Sequence, residues 1–209
     1  MIPADFHIDI IGVGGIGATA ALCLAKMGVK YLTLYDFDTV GEENRSTQLL
    51  KVSGVGKLKV ADVSDTIGLF SDETLIRVFS RQVDESTHLD GDMVICCVDS
   101  IQGRKDVFNA AFDSPARWFL DTRMSAMEYQ HYLVDFQQEK SLGNYVNNLR
   151  LLTDENVPDV PCTEKATTFC SFLSAAHVGN VVKGIVTNDF IPHRLVQNIK
   201  TGFFISIPL

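Results

Sequence analysis

The run Gly12-Val13-Gly14-Gly15-Ile16-Gly17 constrains this chain more than any other segment. Its G-x-G-x-x-G spacing sits between a short apolar run, residues 7–11 (HIDII), and a helix-favouring stretch, residues 15–27 (GIGATAALCLAKM), which Gly28 stops. Residues 31–35 (YLTLY) read as a second strand, so the N-terminal segment has the size of one βαβ unit. In such a unit Gly12 permits the tight turn, Gly14 and Gly15 let a phosphate approach the backbone, and Gly17 lets helix and strand pack closely. The phosphate then rests on a helix N-terminus, where unpaired N–H groups and the helix dipole favour an anion. Asp36 ends the second strand, where a carboxylate accepts hydrogen bonds from ribose hydroxyls. The turn alone does not choose among NAD, FAD and ATP.

Beyond it, strand and helix signals keep alternating, the mark of α/β architecture. Residues 57–68 and 101–113 are expected to be helical, and 74–79, 93–98 and 117–121 to be strands. The run 93–98 (MVICCV) is continuously apolar, as a central parallel strand requires. Residues 127–137 read as a strand with one polar face, 138–161 as an irregular polar stretch, and 164–186 as one long helix. A terminal hairpin is expected from 195–199 and 203–207. The expected fold is therefore a Rossmann-like, mostly parallel sheet with helices on both faces and antiparallel strands in its C-terminal part. A length of 209 residues suits a single domain, with residues 1–115 as a nucleotide-binding half and 116–209 as a partner-binding half.

Composition narrows the function. The chain carries 18 Lys and Arg against 26 Asp and Glu, a net charge of −8, with no basic run. Nucleic acid and anionic membrane surfaces are therefore poor partners. No apolar stretch approaches the ~20 residues of a membrane span, and the N-terminus lacks the features of a signal peptide. Five irregularly spaced cysteines fit a reducing compartment, hence the cytoplasm.

The residues after Asp36 discriminate among the nucleotides. They run Asp36, Asp38, Val40, Asn44, Arg45 and Gln48, followed by Gly56-Lys57-Leu58-Lys59-Val60. A nicotinamide enzyme needs no such set. An adenylating enzyme must neutralise a triphosphate and stabilise charge on the α-phosphate. Arg45, Lys57 and Lys59 supply cations, while Asn44 and Gln48 supply neutral donors. Asp99 follows the apolar run 93–98, at the strand end where open α/β sheets bind ligands. A carboxylate there suits Mg2+, which takes one or two protein carboxylates plus phosphates.

Taken together, GVGGIG, D-F-D-x-V-x-x-x-N-R-x-x-Q, G-K-x-K-V and the set Asp99, Arg104 and Asn109 resemble the ThiF/MoeB/HesA family of ubiquitin-activating-type adenylyltransferases. The likeness spans residues 7–110 and continues more weakly through 121–124 and Pro161-Cys162-Thr163; short stand-alone ThiF-like proteins are similar too. It implies that Asp36 holds the ribose, that Asn44, Arg45, Gln48 and Lys57 hold the phosphates, and that Asp99 holds Mg2+. The implied reaction is attack of a polypeptide C-terminal carboxylate, from a ubiquitin-like or ThiS-like protein or a peptide, on the α-phosphate of ATP. A homodimer is implied as well. Asp38 either joins the nucleotide site or shapes its loop, and Lys59 and Arg104 either serve the site or form scaffold ion pairs.

Cys162 lies beside a helix start, where a thiol pKa falls. By the resemblance it either carries a thioester or plays a structural role in the channel. Cys23, Cys96, Cys97 and Cys170 sit in apolar patterns and read as packing, and the five histidines as surface or core filler. No C-x-x-C occurs, so the zinc site of many relatives is not expected. The resemblance also places a tail-binding channel over residues 127–161, with Tyr129, Tyr132 and Phe136 as candidate lining. Arg123 would meet either the tail carboxylate or Asp121. Related homodimers donate an N-terminal arginine to the partner's ATP site, yet residues 1–11 hold none. Another cation then serves, a partner supplies one, or adenylation is lost. Two other readings stay open: a nicotinamide-dependent oxidoreductase and a non-catalytic scaffold.

Overall fold

A computed structural model describes residues 2–152 and 167–207. Eight strands form one sheet: β1 (His7–Ile11), β2 (Tyr31–Tyr35), β3 (Leu75–Phe79), β4 (Met93–Cys96), β5 (Trp118–Met124), β6 (Glu128–Asp135), β7 (Arg194–Asn198) and β8 (Phe203–Ile207). Their spatial order is β3-β2-β1-β4-β5-β6-β7-β8. The pairs from β3 to β5 are parallel, and those from β5 to β8 antiparallel. The β2–β3 and β4–β5 connections run off to opposite sides of β1, which opens a crevice between the C-terminal ends of β1 and β4.

Among the described residues, five α-helices cover the sheet: α1 (Gly15–Lys26), α2 (Lys59–Gly68), α3 (Ile101–Phe112), α4 (Glu139–Arg150) and α5 (Thr168–Thr187). Strand alternation splits the apolar side chains between two cores. Ile8, Ile10, Leu32, Leu34 and Ile95 pack under α1, α2 and α5. Ile11, Val94, Phe119 and Val134 pack under α3 and α4, where Phe108 meets Phe119 and Tyr145 with ring centroids 5.4 and 5.1 Å apart. β4 is buried at all four residues, as its unbroken apolar sequence requires.

The structure revises the sequence reading at several points. The stretch 138–161 is not irregular throughout, because α4 occupies Glu139–Arg150. Ser141, Tyr145 and Leu149 recur at helical spacing and are buried, with Glu139 in the first turn and Arg150 in the last, matching the helix dipole. Gly143 and the three asparagines Asn144, Asn147 and Asn148 weaken the local propensity and hide that period. Residues 153–161 and Cys162 lie outside the described residues, as do residues 164–166 of the expected long helix. β5 runs three residues beyond its expected end because β6 pairs with it through Met124. α5 is also long and apolar enough, by length and composition, to cross a membrane. Here it packs on α1 and the sheet, burying Val178, Val181 and Val182 as a core helix does.

Candidate functional site

The glycine turn takes the form its spacing demands. Gly12 has φ +89°, and a Cβ there would lie 3.0 Å from the Cys97 carbonyl oxygen. A Cβ on Gly17 would stand 1.9 Å from the Gly12 carbonyl oxygen, so α1 can approach β1 this closely only without a side chain. α1 begins with no side-chain cap and no acid in its first turn, which leaves its positive end open to an anion. A cleft of about 360 Å3 opens in front of it. The C-terminal ends of β1, β2 and β4 and the loops after them line this cleft, together with Met124 at the end of β5.

Asp36 braces the turn. Its Oδ2 accepts the Val13 N–H at 2.8 Å and its Oδ1 the Asp38 N–H at 2.9 Å. Burial pushes the carboxyl above its ordinary range, while those two N–H groups and Lys59 pull the other way. Each oxygen keeps a lone pair for a ribose hydroxyl. Asn44, also in the lining, uses Oδ1 to accept the Gly41 N–H at 3.0 Å, which shapes the loop. Gln48 lies against Gly14, and its Oε1 is buried without a partner. Such an orphaned acceptor costs free energy unless a ligand satisfies it.

The cations sort differently from the sequence expectation. Lys57 is exposed and does not line the cleft; Lys59, the first residue of α2, does. Lys59 Nζ donates to Asp38 Oδ2 at 2.7 Å and is 8 % exposed. Both readings of these two residues therefore meet, since the ion pair itself stands in the cleft wall. Arg45 also lies outside the lining. Its guanidinium bonds Glu42 at 2.5 Å, and its buried Nε has no partner. Arg104 lines the cleft from α3, but its donors go to Asp121 and to the carbonyls of Val98 and Thr122. Asp121 is a fully buried hub that also accepts Arg123 at 2.6 Å and the Tyr145 hydroxyl at 3.0 Å. Arg104 and Arg123 are thus scaffold pairs in this structure.

Asp99 stands exposed at the mouth, one residue before Ser100, whose hydroxyl caps α3 by accepting the Gly103 N–H at 3.1 Å. Among the described residues no cluster of three or more His, Cys, Asp or Glu could hold a metal ion. A magnesium site does not need one, because phosphates and water supply most of its ligands. Asp99 and Asp38 both line this cleft.

Sequence reasoning missed Arg81, Gln82 and Val83, which line the cleft beyond Asp36. They follow β3, at the carboxyl end of the strand next to β2, and that position was the available signal. Arg81 lies 5.2 Å over the Phe79 ring and 5.8 Å over Tyr35. Phe37 and Thr47 also line the cleft and were not singled out. The expected tail groove fares less well. Tyr129 is fully buried and stacks on His177 at 5.0 Å, while Phe136 packs against Phe108 and Phe119. Phe136 and Tyr132 are both partly open, and Tyr132 is held between the guanidinium groups of Arg123 and Arg194 at 5.1 Å each.

The described cysteines are packing groups. Burial pushes the thiols of Cys96 and Cys97 up to about 12 and that of Cys170 to about 11, so none is a thiolate at neutral pH.

Comparison with known proteins agrees with this geometry. An Escherichia coli MccB structure with succinimide has the same fold at low identity: it superimposes at TM-score 0.76 and 15% identity, covering 98% of this chain and 63% of that one. PaaA gives TM-score 0.74 at 18% identity, covering 98% of this chain and 64% of that chain. Among curated proteins, the tRNA threonylcarbamoyladenosine dehydratase of Haemophilus influenzae is 33% identical over 102 residues, 46% of this chain and 39% of that protein. The molybdopterin-synthase adenylyltransferase of Escherichia coli is 31% identical over 113 residues, 52% and 45% of the two chains. Ubiquitin-like modifier-activating enzyme 5 of Drosophila erecta is 25% identical across 98% of this chain and 56% of its own length. The chain thus spans less than two thirds of each of these relatives. Residues 4–203 match the ThiF family, and the chain belongs to it.

Proposed function

We propose that the chain binds ATP in the glycine-turn cleft and adenylates the C-terminal carboxylate of a polypeptide. The observation that carries this reading is the convergence of the open α1 N-terminus, Asp36, Lys59 and Asp99 on one cleft. The phosphates would lie along the turn, with Gln48 and Asn44 as neutral partners and Lys59 as the cation. Asp36 would accept from the ribose. Asp99, with Asp38, would hold Mg2+, which shields charge between the phosphates. The attacking carboxylate oxygen forms a bond to the α-phosphorus, the bond to the bridging oxygen breaks, and pyrophosphate leaves. Lys59 and the turn N–H groups would stabilise charge in that step.

The names of the relatives support this reading in general terms, since they include an adenylyltransferase and modifier-activating enzymes. A solved structure of the same fold is described as MccB with AMPCPP and MccA. We further read the substrate as a ubiquitin-like or ThiS-like tail or a peptide, the functional unit as a homodimer, and the compartment as reducing, in keeping with four free described cysteines. Cys162 is the candidate for any thioester.

ATP–pyrophosphate exchange, driven by a candidate tail peptide, tests the proposal. Exchange above background that Asp99→Ala abolishes is the expected result. ATP binding with no exchange, given a cognate partner, would leave a scaffold, and saturable NADH binding in place of ATP would leave an oxidoreductase. A mass increase on Cys162 that reducing agent removes would establish the thioester. Light scattering gives the oligomeric state.

A further inference from the structure

A second cleft, of about 600 Å3, lies at the opposite end of the sheet. β5 links the two: Met124 lines the nucleotide cleft and Trp118 lines this one. The six-residue span between them puts the two sites about 20 Å apart. The volume falls within the ~300–1,000 Å3 typical of small-molecule sites. Phe6, Leu133, Ile185 and Ile191 form apolar wall and floor, and Phe190 stands 71 % exposed at the rim. Gly184 keeps the floor low, because a Cβ there would lie 2.6 Å from Ile191.

The polar groups of this cleft are held from behind. Asp135 is fully buried and binds the Arg117 guanidinium at 3.3 and 2.9 Å. The same carboxylate accepts the Gln137 N–H at 3.0 Å and the Gln138 amide at 3.1 Å, so its oxygens are occupied. Arg117 also lies 4.7 Å over the Trp118 ring and stays 48 % exposed. Among the described residues no acceptor bonds its Nη1, so a charged donor edge stays open on a residue that lines the cleft. Asp189, also in the lining, accepts from the Thr187 hydroxyl at 2.6 Å. An immobilised guanidinium beside an apolar wall is the chemistry that recognises a carboxylate on an apolar body.

We propose that this cleft binds a small carboxylic acid with an aromatic or branched apolar body, its carboxylate on the outer edge of Arg117. The inference is independent of the adenylation reading. Trp118 is the only tryptophan in the chain, so its emission reports on this cleft directly.

The test titrates 1-naphthoate and 1-naphthylmethylammonium into the protein while following Trp118 emission and heat of binding. Naphthoate is expected to give a saturable change and to bind at least about tenfold more tightly than the amine. Arg117→Lys leaves a cation for Asp135 but no second edge, and should weaken naphthoate about tenfold and erase its preference over the amine. Phe190→Ala, at an exposed position, should weaken both probes several-fold. Thermal unfolding of each variant shows that the fold is kept. The proposal is overturned by no saturable change, by equal binding of the two probes, by an unchanged Arg117→Lys variant, or by competition from an ATP analogue.

Discussion

Replacing Lys59 with methionine separates the two lysines of the G-K-x-K-V segment. The substitution keeps the length and apolar stem of the side chain and removes only the ammonium. In the structure that ammonium is 8 % exposed and bonds Asp38 at 2.7 Å in the cleft wall, while Lys57 is exposed outside it. Asp38 is itself 48 % exposed, so losing the pair should cost at most about 1 kcal/mol of stability. A charge-assisted bond to a phosphate contributes about 1.5–3 kcal/mol, or roughly 10- to 150-fold at about 1.4 kcal/mol per factor of ten. Lys59→Met should therefore lower kcat/KM for ATP by that range in pyrophosphate exchange, with a near-unchanged melting temperature. Lys57→Met should change it by less than about twofold, as surface substitutions remote from a site do. Equal losses in both variants, or a loss confined to Lys57→Met, would refute the placement of the phosphate-binding cation at Lys59.

Gly17→Ala should destabilise the protein by about 3 kcal/mol, because its Cβ would fall 1.9 Å from the Gly12 carbonyl oxygen and backbone must move; a wild-type urea midpoint would contradict this. His131 supplies a pH dependence. Burial pushes its imidazole down to about 4, although the Pro192 carbonyl pulls it up. Between pH 6.5 and 4 the unfolded chain then binds a proton that the folded chain refuses, so stability falls as pH falls, by about 3 kcal/mol at the lower end. His131→Gln should flatten that part of the urea-midpoint profile, and an unchanged slope would show that other groups set it.

The glycine turn, Asp36 and the apolar run 93–98 were legible because each is forced by local chemistry: a close approach, a strand end, burial on both faces. Their neighbours were less so. Lys57 and Lys59 are two residues apart in sequence, and only the start of α2 decides which one turns inward. Arg45 looked free in the sequence, but its partner Glu42 lies three residues back on the turn Glu42–Asn44. Arg81 carries no motif around it and reaches the cleft through the parallel pairing of β3 with β2. The Arg123–Asp121 pair was one of two readings the sequence offered, but Arg104 and Tyr145 reach the same carboxylate from α3 and α4, which no spacing rule announces. α4 stayed hidden because its propensity is poor and its stability comes from Tyr145 and Leu149 packing on the sheet.

Charge in the cleft bears on the metal. Three carboxylates line it, those of Asp36, Asp38 and Asp99, against the cations Lys59, Arg81 and Arg104. Arg104 is already spent on Asp121 and two carbonyls. The remaining lining is therefore slightly negative, and a triphosphate entering alone adds more of the same sign. A divalent cation held by Asp99 would offset that repulsion. Asp99→Asn then acts in opposite directions in two buffers. With Mg2+ present it should weaken ATP binding, because the metal loses its carboxylate. With Mg2+ chelated it should strengthen ATP binding, because one repelling charge is gone. Calorimetric titration with and without EDTA reads both effects. A shift of the same sign in the two buffers would mean that Asp99 acts on the nucleotide by some route other than a metal.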